Sequence, residues 1–327
     1  MWNGRAARLD SACCSSGARL PRASCALCPW NMSAIWRGRQ RRLAEMGKLL
    51  GFLETERELP KDRPEIERVM DYESIHMPWP MECQRRQAAR CMECAAPFCH
   101  SGMLLGGAPA GCPLGNLIPE WNDLLYHGRL AEAAMRLQRT NPFPEFTSRV
   151  CPALCEGACT CGVHGQPVTV RQNEYAIMEY AFREGLVFPR TPRPATGKRV
   201  AVVGSGPAGL ACAQRLYELG HRVTVLERAD RIGGLLMYGI PNMKLEKSVV
   251  ERRVELMRRE GIDFHTLCDV GNEFDSEKLK TDFDAAVLCC GASKARKLGA
   301  RGAEGNGVVP AVVYLTAATK NLLGGIE

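Results

Sequence analysis

The sequence predicts two architectures in tandem: a cysteine-rich α-helical domain and, after it, an α/β domain built on a parallel βαβ unit. Three observations carry this. Seven cysteines fall in two tight runs between Cys91 and Cys159, among short stretches with helical apolar spacing. A Pro-rich segment, Phe188-Pro189-Arg190-Thr191-Pro192-Arg193-Pro194, follows them as a stiff linker. From Lys198 the pattern changes to apolar strand, glycine turn, helix and strand.

Length and charge bound the function class. At 327 residues the chain can bury a substantial core, and a prior of roughly 100 to 200 residues per domain predicts two domains. The net charge is +7, but residues 1–45 hold eight Arg against Asp10 and Glu45 and so supply +6 of it. The remainder is nearly neutral, which argues against nucleic acid as a partner. No apolar run approaches the roughly 20 residues of a membrane-spanning helix, so the chain reads as soluble. Its 17 Cys in a large chain without an apolar secretory h-region point to metal or cluster ligation rather than to a disulfide framework.

Residues 1–45 are Arg-, Ser-, Ala- and Cys-rich, without lasting periodicity, and are expected to be disordered. Their composition fits an organelle transit peptide, and it fits equally an upstream extension ahead of Met46-Gly47-Lys48. Location is accordingly cytoplasmic, or plastid or mitochondrial if this is a transit peptide. Cys25 and Cys28 form an isolated pair, short of the four ligands of a closed zinc site.

Residues 46–190 are expected to form the helical domain, with helices over Met81–Arg90, Ile118–Tyr126, Leu130–Gln138 and Gln172–Glu184. Ligands rather than a wide apolar core are expected to hold its loops. In residues 191–327, strands are expected at Arg199–Val203, Arg222–Leu226 and Ile262–Thr266, helices at Leu210–Leu219 and Ser248–Glu260, and a buried strand at Ala285–Cys290 ending at Gly291.

The glycine turn is Gly204-Ser205-Gly206-Pro207-Ala208-Gly209. A lone G-x-G-x-x-G is weak evidence, but here an apolar strand precedes it, a helix follows, and Glu227 stands 23 residues after Gly204 at the end of the next strand, with Arg228 beside it. Gly204 permits the tight turn, Gly206 lets the backbone approach a pyrophosphate, and Gly209 lets helix and strand pack closely. The helix N-terminus offers free N–H groups and a positive dipole end to the phosphates. Glu227 is expected to accept hydrogen bonds from ribose hydroxyls.

The cysteine runs are Cys91-x2-Cys94-x4-Cys99 with Cys112-Pro113, and Cys151-Pro152-x2-Cys155-x3-Cys159. Zinc is the rival reading for any C-x2-C, but this grouping suits iron–sulfur clusters better. Two four-iron clusters need eight protein ligands, one more than seven thiols supply. Cys83 and Cys161 lie off the pattern, as bystanders or substitute ligands. Cys289 and Cys290 sit on an apolar strand and are expected to be core. The six His are scattered, His100, His127 and His164 reading as surface or turn residues, and no nucleophile or acid–base pair stands out.

Beyond the fingerprint comes Arg231-Ile232-Gly233-Gly234-Leu235-Leu236-Met237-Tyr238-Gly239-Ile240-Pro241. This G-G-L-x-x-Y-G-I-P stretch, with Asn141-Pro142-Phe143-Pro144-Glu145-Phe146 and Cys112-Pro113-Leu114-Gly115-Asn116-Leu117-Ile118-Pro119, resembles the glutamate synthase small subunit family. That family extends to the flavin and cluster part of dihydropyrimidine dehydrogenase, and the likeness runs from about Met46 onward. The resemblance implies an α-helical iron–sulfur domain followed by an α/β Rossmann-like FAD-binding domain. It puts Gly233, Gly234, Leu235, Tyr238, Gly239, Ile240 and Pro241 beside FAD, with Gly291 closing over the dinucleotide. It also implies crosswise ligation, with Cys91, Cys94, Cys99 and Cys159 on one 4Fe-4S cluster and Cys112, Cys151, Cys155 and Glu174 on the other. The loop between Cys99 and Cys112 is longer than relatives have, an insertion of low cost, since each doubling of loop length adds about 0.6 kcal/mol.

The implied activity is electron transfer from NADPH or NADH through FAD and two clusters to a glutamate synthase large subunit, in glutamate biosynthesis. One fingerprint and an end at Gly324-Gly325-Ile326-Glu327 lead us to expect only the first part of the flavin domain and no complete nicotinamide site. Such a chain is expected to be inactive alone. The motifs leave open a related acceptor, in pyrimidine reduction or ferredoxin exchange, and a non-catalytic cofactor-binding or assembly module.

Overall fold

The structure is a computed structural model that describes residue 48, residues 50–296 and residues 298–324. The expectations for residues 1–45, including Cys25 and Cys28, lie outside the described residues. Met46–Glu327 group as one compact unit.

The N-terminal part is built on helices α1 (Met81–Ala88), α2 (Ile118–Tyr126), α3 (Leu130–Leu137), α4 (Pro144–Val150) and α5 (Val170–Arg183). Helix α2 has the predicted bounds, while α5 starts two residues early, where Thr169, just ahead of the helix, donates to Asn173 in its first turn through a buried hydrogen bond of 3.1 Å. The apolar faces of these helices meet in a core of their own, with Trp121, Leu125, Leu137, Ile177 and Met178 fully buried. Burying each such side chain is worth about 1.5–3 kcal/mol. The helices thus have an apolar core of their own, and the expectation that ligands hold the connecting Cys-rich loops concerns a different part of the domain. The long loop between Cys99 and Cys112 folds into an antiparallel hairpin, β1 (Met103–Leu105) and β2 (Ala108–Ala110). Its turn residues Gly106 and Gly107 have φ of 58° and 83°, the paired positive values a two-residue hairpin turn requires.

The C-terminal part is an all-parallel sheet in the order β5 (Asp263–His265), β4 (Arg222–Leu226), β3 (Arg199–Val203), β6 (Ala285–Leu288). Helix α6 (Pro207–Glu218) joins β3 to β4, and α7 (Lys247–Glu260) precedes β5. Helix α6 begins three residues before the expected Leu210, because Pro207 at the first helical position needs no N–H partner and already has helical φ. The strand at Ala285 is a correction: it ends at Leu288 and is largely exposed, Leu288 to 70%, because it is the sheet edge and pairs only with β3. Cys290 is likewise exposed, and only Cys289 packs partly against the core.

The two parts share material. Phe143 and Phe146, from the helical part, lie in the apolar cluster formed by β3, β4, α6 and α7. The Pro-rich linker is strapped to the sheet part: Arg190 N–H donates to Glu260 at 2.8 Å, and the Tyr217 hydroxyl donates to the Arg190 carbonyl at 2.8 Å. Ion pairs reinforce the joint, with Glu179 of α5 bound to both Arg149 and Arg252. Among the described residues, no helix is long and apolar enough to cross a membrane.

Candidate cofactor sites

Strands β3, β4 and β6 all end at one edge of the sheet, bringing Gly204, Glu227 and Cys289 together there, the carboxyl edge where open parallel sheets bind ligands. Gly204 has φ 100°, and a Cβ on it would meet the Cys289 carbonyl oxygen at 2.5 Å. A Cβ on Gly209 would meet the Gly204 oxygen at 1.9 Å, whereas one on Gly206 would meet nothing within 4 Å. Two glycines are thus needed by the fold and the third leaves open space at the start of α6. That cradle, bounded by backbone and by exposed Pro207 and Ala208, fits a dinucleotide pyrophosphate.

Glu227 is buried and turned toward this loop. Its Oε2 accepts from the Ser205 backbone N–H at 2.9 Å and from the Ser205 hydroxyl at 2.5 Å, and its Oε1 accepts from the Ala229 N–H at 2.8 Å. Ser205 Oγ in turn accepts the Gly233 N–H at 2.9 Å. A Cβ on Gly234 would lie 2.8 Å from the Gly206 Cα, so the second glycine pair seats directly on the first. Arg228 and Leu235 are exposed, Tyr238 is buried and donates to Asp230 at 2.7 Å, and Gly291 stands beyond β6 with open space around it.

Lys247, which carried no signal in the sequence, anchors this segment. Its buried ammonium donates to the carbonyls of Leu236 at 3.0 Å and Ile240 at 2.5 Å. These bonds staple the turn holding Gly239, Ile240 and Pro241 to α7. Burial pushes the lysine down, to about 8.

Cys91, Cys94, Cys99 and Cys159 line a single pocket. The first three come from the loop after α1, and Cys159 reaches it from the second run, past Cys155. Burial pushes Cys91 and Cys99 up to about 12, and the nearby Cys159 and Cys94 add to the rise at both. Cys161 is a fifth thiol in this pocket, buried, with its Sγ 3.5 Å from the Arg90 carbonyl. Cys83 lies elsewhere, 3.3 Å from Arg86.

The remaining donors form a second group. Burial raises Cys112, with Glu174 and Cys151 adding to it, and burial raises Cys155, with Glu174, Glu156, Cys112 and Cys151 adding to it. Glu174 is no solvated helix acid: it is buried on α5, and burial pushes it up to about 8 against hydrogen bonds from Thr147 and Asn116. Asn116 Nδ2 donates to Glu174 Oε1 at 2.7 Å. Its Oδ1 accepts from Trp121 Nε1 at 3.2 Å and from Thr140 at 3.0 Å, and because the indole can only donate, the amide nitrogen must face Glu174. Asn116 and Thr147 are thus partners of a site residue that spacing does not reveal, although Asn116 lies within the Cys112-Pro113-Leu114-Gly115-Asn116 run.

All thirteen described cysteines are free. Among the described residues, no group of three or more His, Cys, Asp or Glu could hold a single metal ion. Cys91, Cys94, Cys99 and Cys159 in one pocket match in number the four ligands of a four-iron cube, one per iron.

The chain matches two family models. Residues 68–186 match dihydropyrimidine dehydrogenase domain II, 4Fe-4S cluster, and residues 202–247 match the NAD(P)-binding Rossmann-like domain. It is 52% identical to the glutamate synthase [NADPH] small chain of Bacillus subtilis over 85% of this chain and 56% of that one. It is 52% identical to the small chain of Mycobacterium tuberculosis over 83% and 54%. It is 45% identical to the glutamate synthase [NADH] of Schizosaccharomyces pombe over 86% of this chain and 13% of that one. The chain spans about half the length of the bacterial small chains it matches.

Proposed function

The chain belongs to the glutamate synthase small-chain family, and on that premise we propose that it is an electron-transfer component, passing electrons from NAD(P)H through FAD and two 4Fe-4S clusters to a glutamate synthase large chain. When bound, these groups supply hydride acceptance and one-electron transfer, chemistry the protein's own side chains lack. Residues 46–190 are the cluster-bearing domain and residues 191–327 the flavin-binding one. Two apolar clusters support that division, with Phe143 and Phe146 of the first part packing into the second.

The chain's residues bind and orient. Backbone N–H groups at the start of α6 receive the FAD pyrophosphate over Gly206, Glu227 faces the adenosine ribose, and the segment from Gly233 to Pro241 flanks the flavin, held by Lys247. The thiolates of Cys91, Cys94, Cys99 and Cys159 hold one cluster. Those of Cys112, Cys151 and Cys155 hold the other with the carboxylate of Glu174, whose position Asn116 and Thr147 set. An oxygen ligand shifts the potential of that second site relative to the first.

The observation that carries this reading is the crosswise gathering of the thiols, Cys159 standing with the first run and Cys155 with Cys112 and Cys151. The test is composition: purified protein is expected to contain about eight irons and eight acid-labile sulfides per chain, together with FAD. Zinc without labile sulfide overturns it. With cofactors in place, glutamate formation from NAD(P)H on adding a large chain supports the electron-input role, and failure of the pre-reduced chain, freed of reductant, to pass electrons to a large chain points to a non-catalytic cofactor-binding module. The acceptor is then sought by pull-down. We place the protein in the cytoplasm, or in an organelle if residues 1–45 direct it there, with neither nucleic acid nor membrane as a partner.

A further inference from the structure

Thr160 follows Cys159 directly and opens the short 3₁₀ turn Thr160–Val163, so one segment sets both side chains. Its Oγ1 lies 3.1 Å from the Sγ of Cys94, 66 residues away in sequence, and both residues line the pocket of the first four thiols. In a free thiol either atom can donate. A metal-bound thiolate has no proton, so the hydroxyl becomes the only donor in the pair.

We propose that Thr160 sets the reduction potential of the cluster held by Cys91, Cys94, Cys99 and Cys159, by donating an O–H···S hydrogen bond to the Cys94 sulfur. The inference rests on the ligand reading above. Reduction adds one electron, delivered by the reduced flavin, and part of the added charge spreads onto the ligand sulfurs. A donor aimed at one of those sulfurs stabilises the more negative state more strongly, and so raises the potential.

Thr160 carries the only hydroxyl among the described side chains lining this pocket. The amide of Asn122, also in its wall, is committed elsewhere, donating to the Ile118 carbonyl at 3.1 Å and accepting from Asn173 at 2.6 Å. Backbone N–H groups of Glu93 and His100 also reach the thiols, but no side-chain substitution removes them. Cys161, the pocket's fifth thiol, lies against Cys159, so Thr160 is the side-chain donor that the pocket aims at Cys94.

The experiment is a redox titration, followed by electron paramagnetic resonance, of the full cluster-loaded chain as wild type, Thr160→Val and Thr160→Ser. Valine keeps the shape and removes the donor, so one of the two clusters is expected to shift to a more negative potential while the other stays in place, at equal iron content. Serine restores the wild-type value. Unmoved potentials in a fully loaded valine variant overturn the proposal, as does a positive shift. Should valine impair loading, Thr160→Ala replaces it: its first-cluster potential must fall below that of Thr160→Ser, and equal potentials overturn the proposal. Wild-type protein with no iron and no labile sulfide defeats the ligand reading itself, and Thr160 falls with it.

Discussion

Glu145 and Arg253, 108 residues apart, form an ion pair that is completely out of solvent, at 0% and 1% exposure. The pair joins α4, which runs straight into Cys151, to α7, whose Lys247 and Val250 back the Gly233–Pro241 segment. The guanidinium also lies 5.4 Å from the centres of the Phe143 and Phe182 rings. Helix α7 thus backs the segment proposed beside the flavin and, through Glu145, meets the helix that leads to Cys151 of the second thiol group.

Removing one member leaves a buried charge unpaired, which costs about 3–5 kcal/mol. Glu145→Gln and Arg253→Met should each show that loss in urea unfolding. The apolar pair Glu145→Leu with Arg253→Met should recover most of it, since two well-packed hydrophobes replace a desolvated pair at little cost. A double variant no better than the worse single variant would sink this account.

The three fingerprint glycines should fail in different ways. Gly204→Ala and Gly209→Ala drive a methyl into backbone atoms at 2.5 Å and 1.9 Å, so both should melt well below wild type. Gly206→Ala has free space and should melt near wild type, yet purify with little FAD, because its methyl occupies the cradle. Thermal melts with flavin absorbance separate the cases. Full FAD in Gly206→Ala would argue against pyrophosphate binding there.

Crosswise ligation predicts a specific pattern in double substitutions. Cys94→Ser with Cys159→Ser touches one ligand set and should retain about half the iron, near four per chain. Cys151→Ser with Cys159→Ser touches both sets and should lose nearly all of it. If each cysteine run served its own cluster, the two results would be exchanged.

Lys247 gives a pH dependence with a definite sign. Its folded pKa is lowered to about 8 by burial, against about 10.4 in an unfolded chain. Between those values the unfolded state binds a proton the native state does not, so this residue's contribution to stability rises with pH, by on the order of 1 kcal/mol per unit. Urea unfolding of wild type and Lys247→Met across that window should show the difference growing in favour of wild type. A difference independent of pH would show that the ammonium stays charged, held by the two carbonyls.

Much of the framework is legible in local pattern. Short apolar runs beside the glycine turn and helical spacing locate Arg199–Val203, Arg222–Leu226 and Ile118–Tyr126 at the bounds observed, because those segments make their own backbone bonds or pair with a strand one helix away. The hairpin at Met103–Ala110 escapes such reading: its strands are three residues long, and after Met103-Leu104-Leu105 its sequence is only Gly, Ala and Pro. The strand at Ala285–Leu288 is apolar enough to suggest burial, yet its position at the sheet edge exposes it.

The sequence by itself determined the kinds of chemistry available: a glycine turn between strand and helix, a following acid, and seven thiols in two runs. These are short-range features, set by residue type and spacing. Only the tertiary structure decided which thiols share a pocket, that Glu174 is buried beneath Asn116 and Thr147, that Ser205 ties Glu227 to Gly233, and that Arg253 meets Glu145. Those relationships join residues tens of positions apart, and they exist because packing the apolar faces of α4, α5 and α7 brings their few polar side chains into places where each must find a partner out of water.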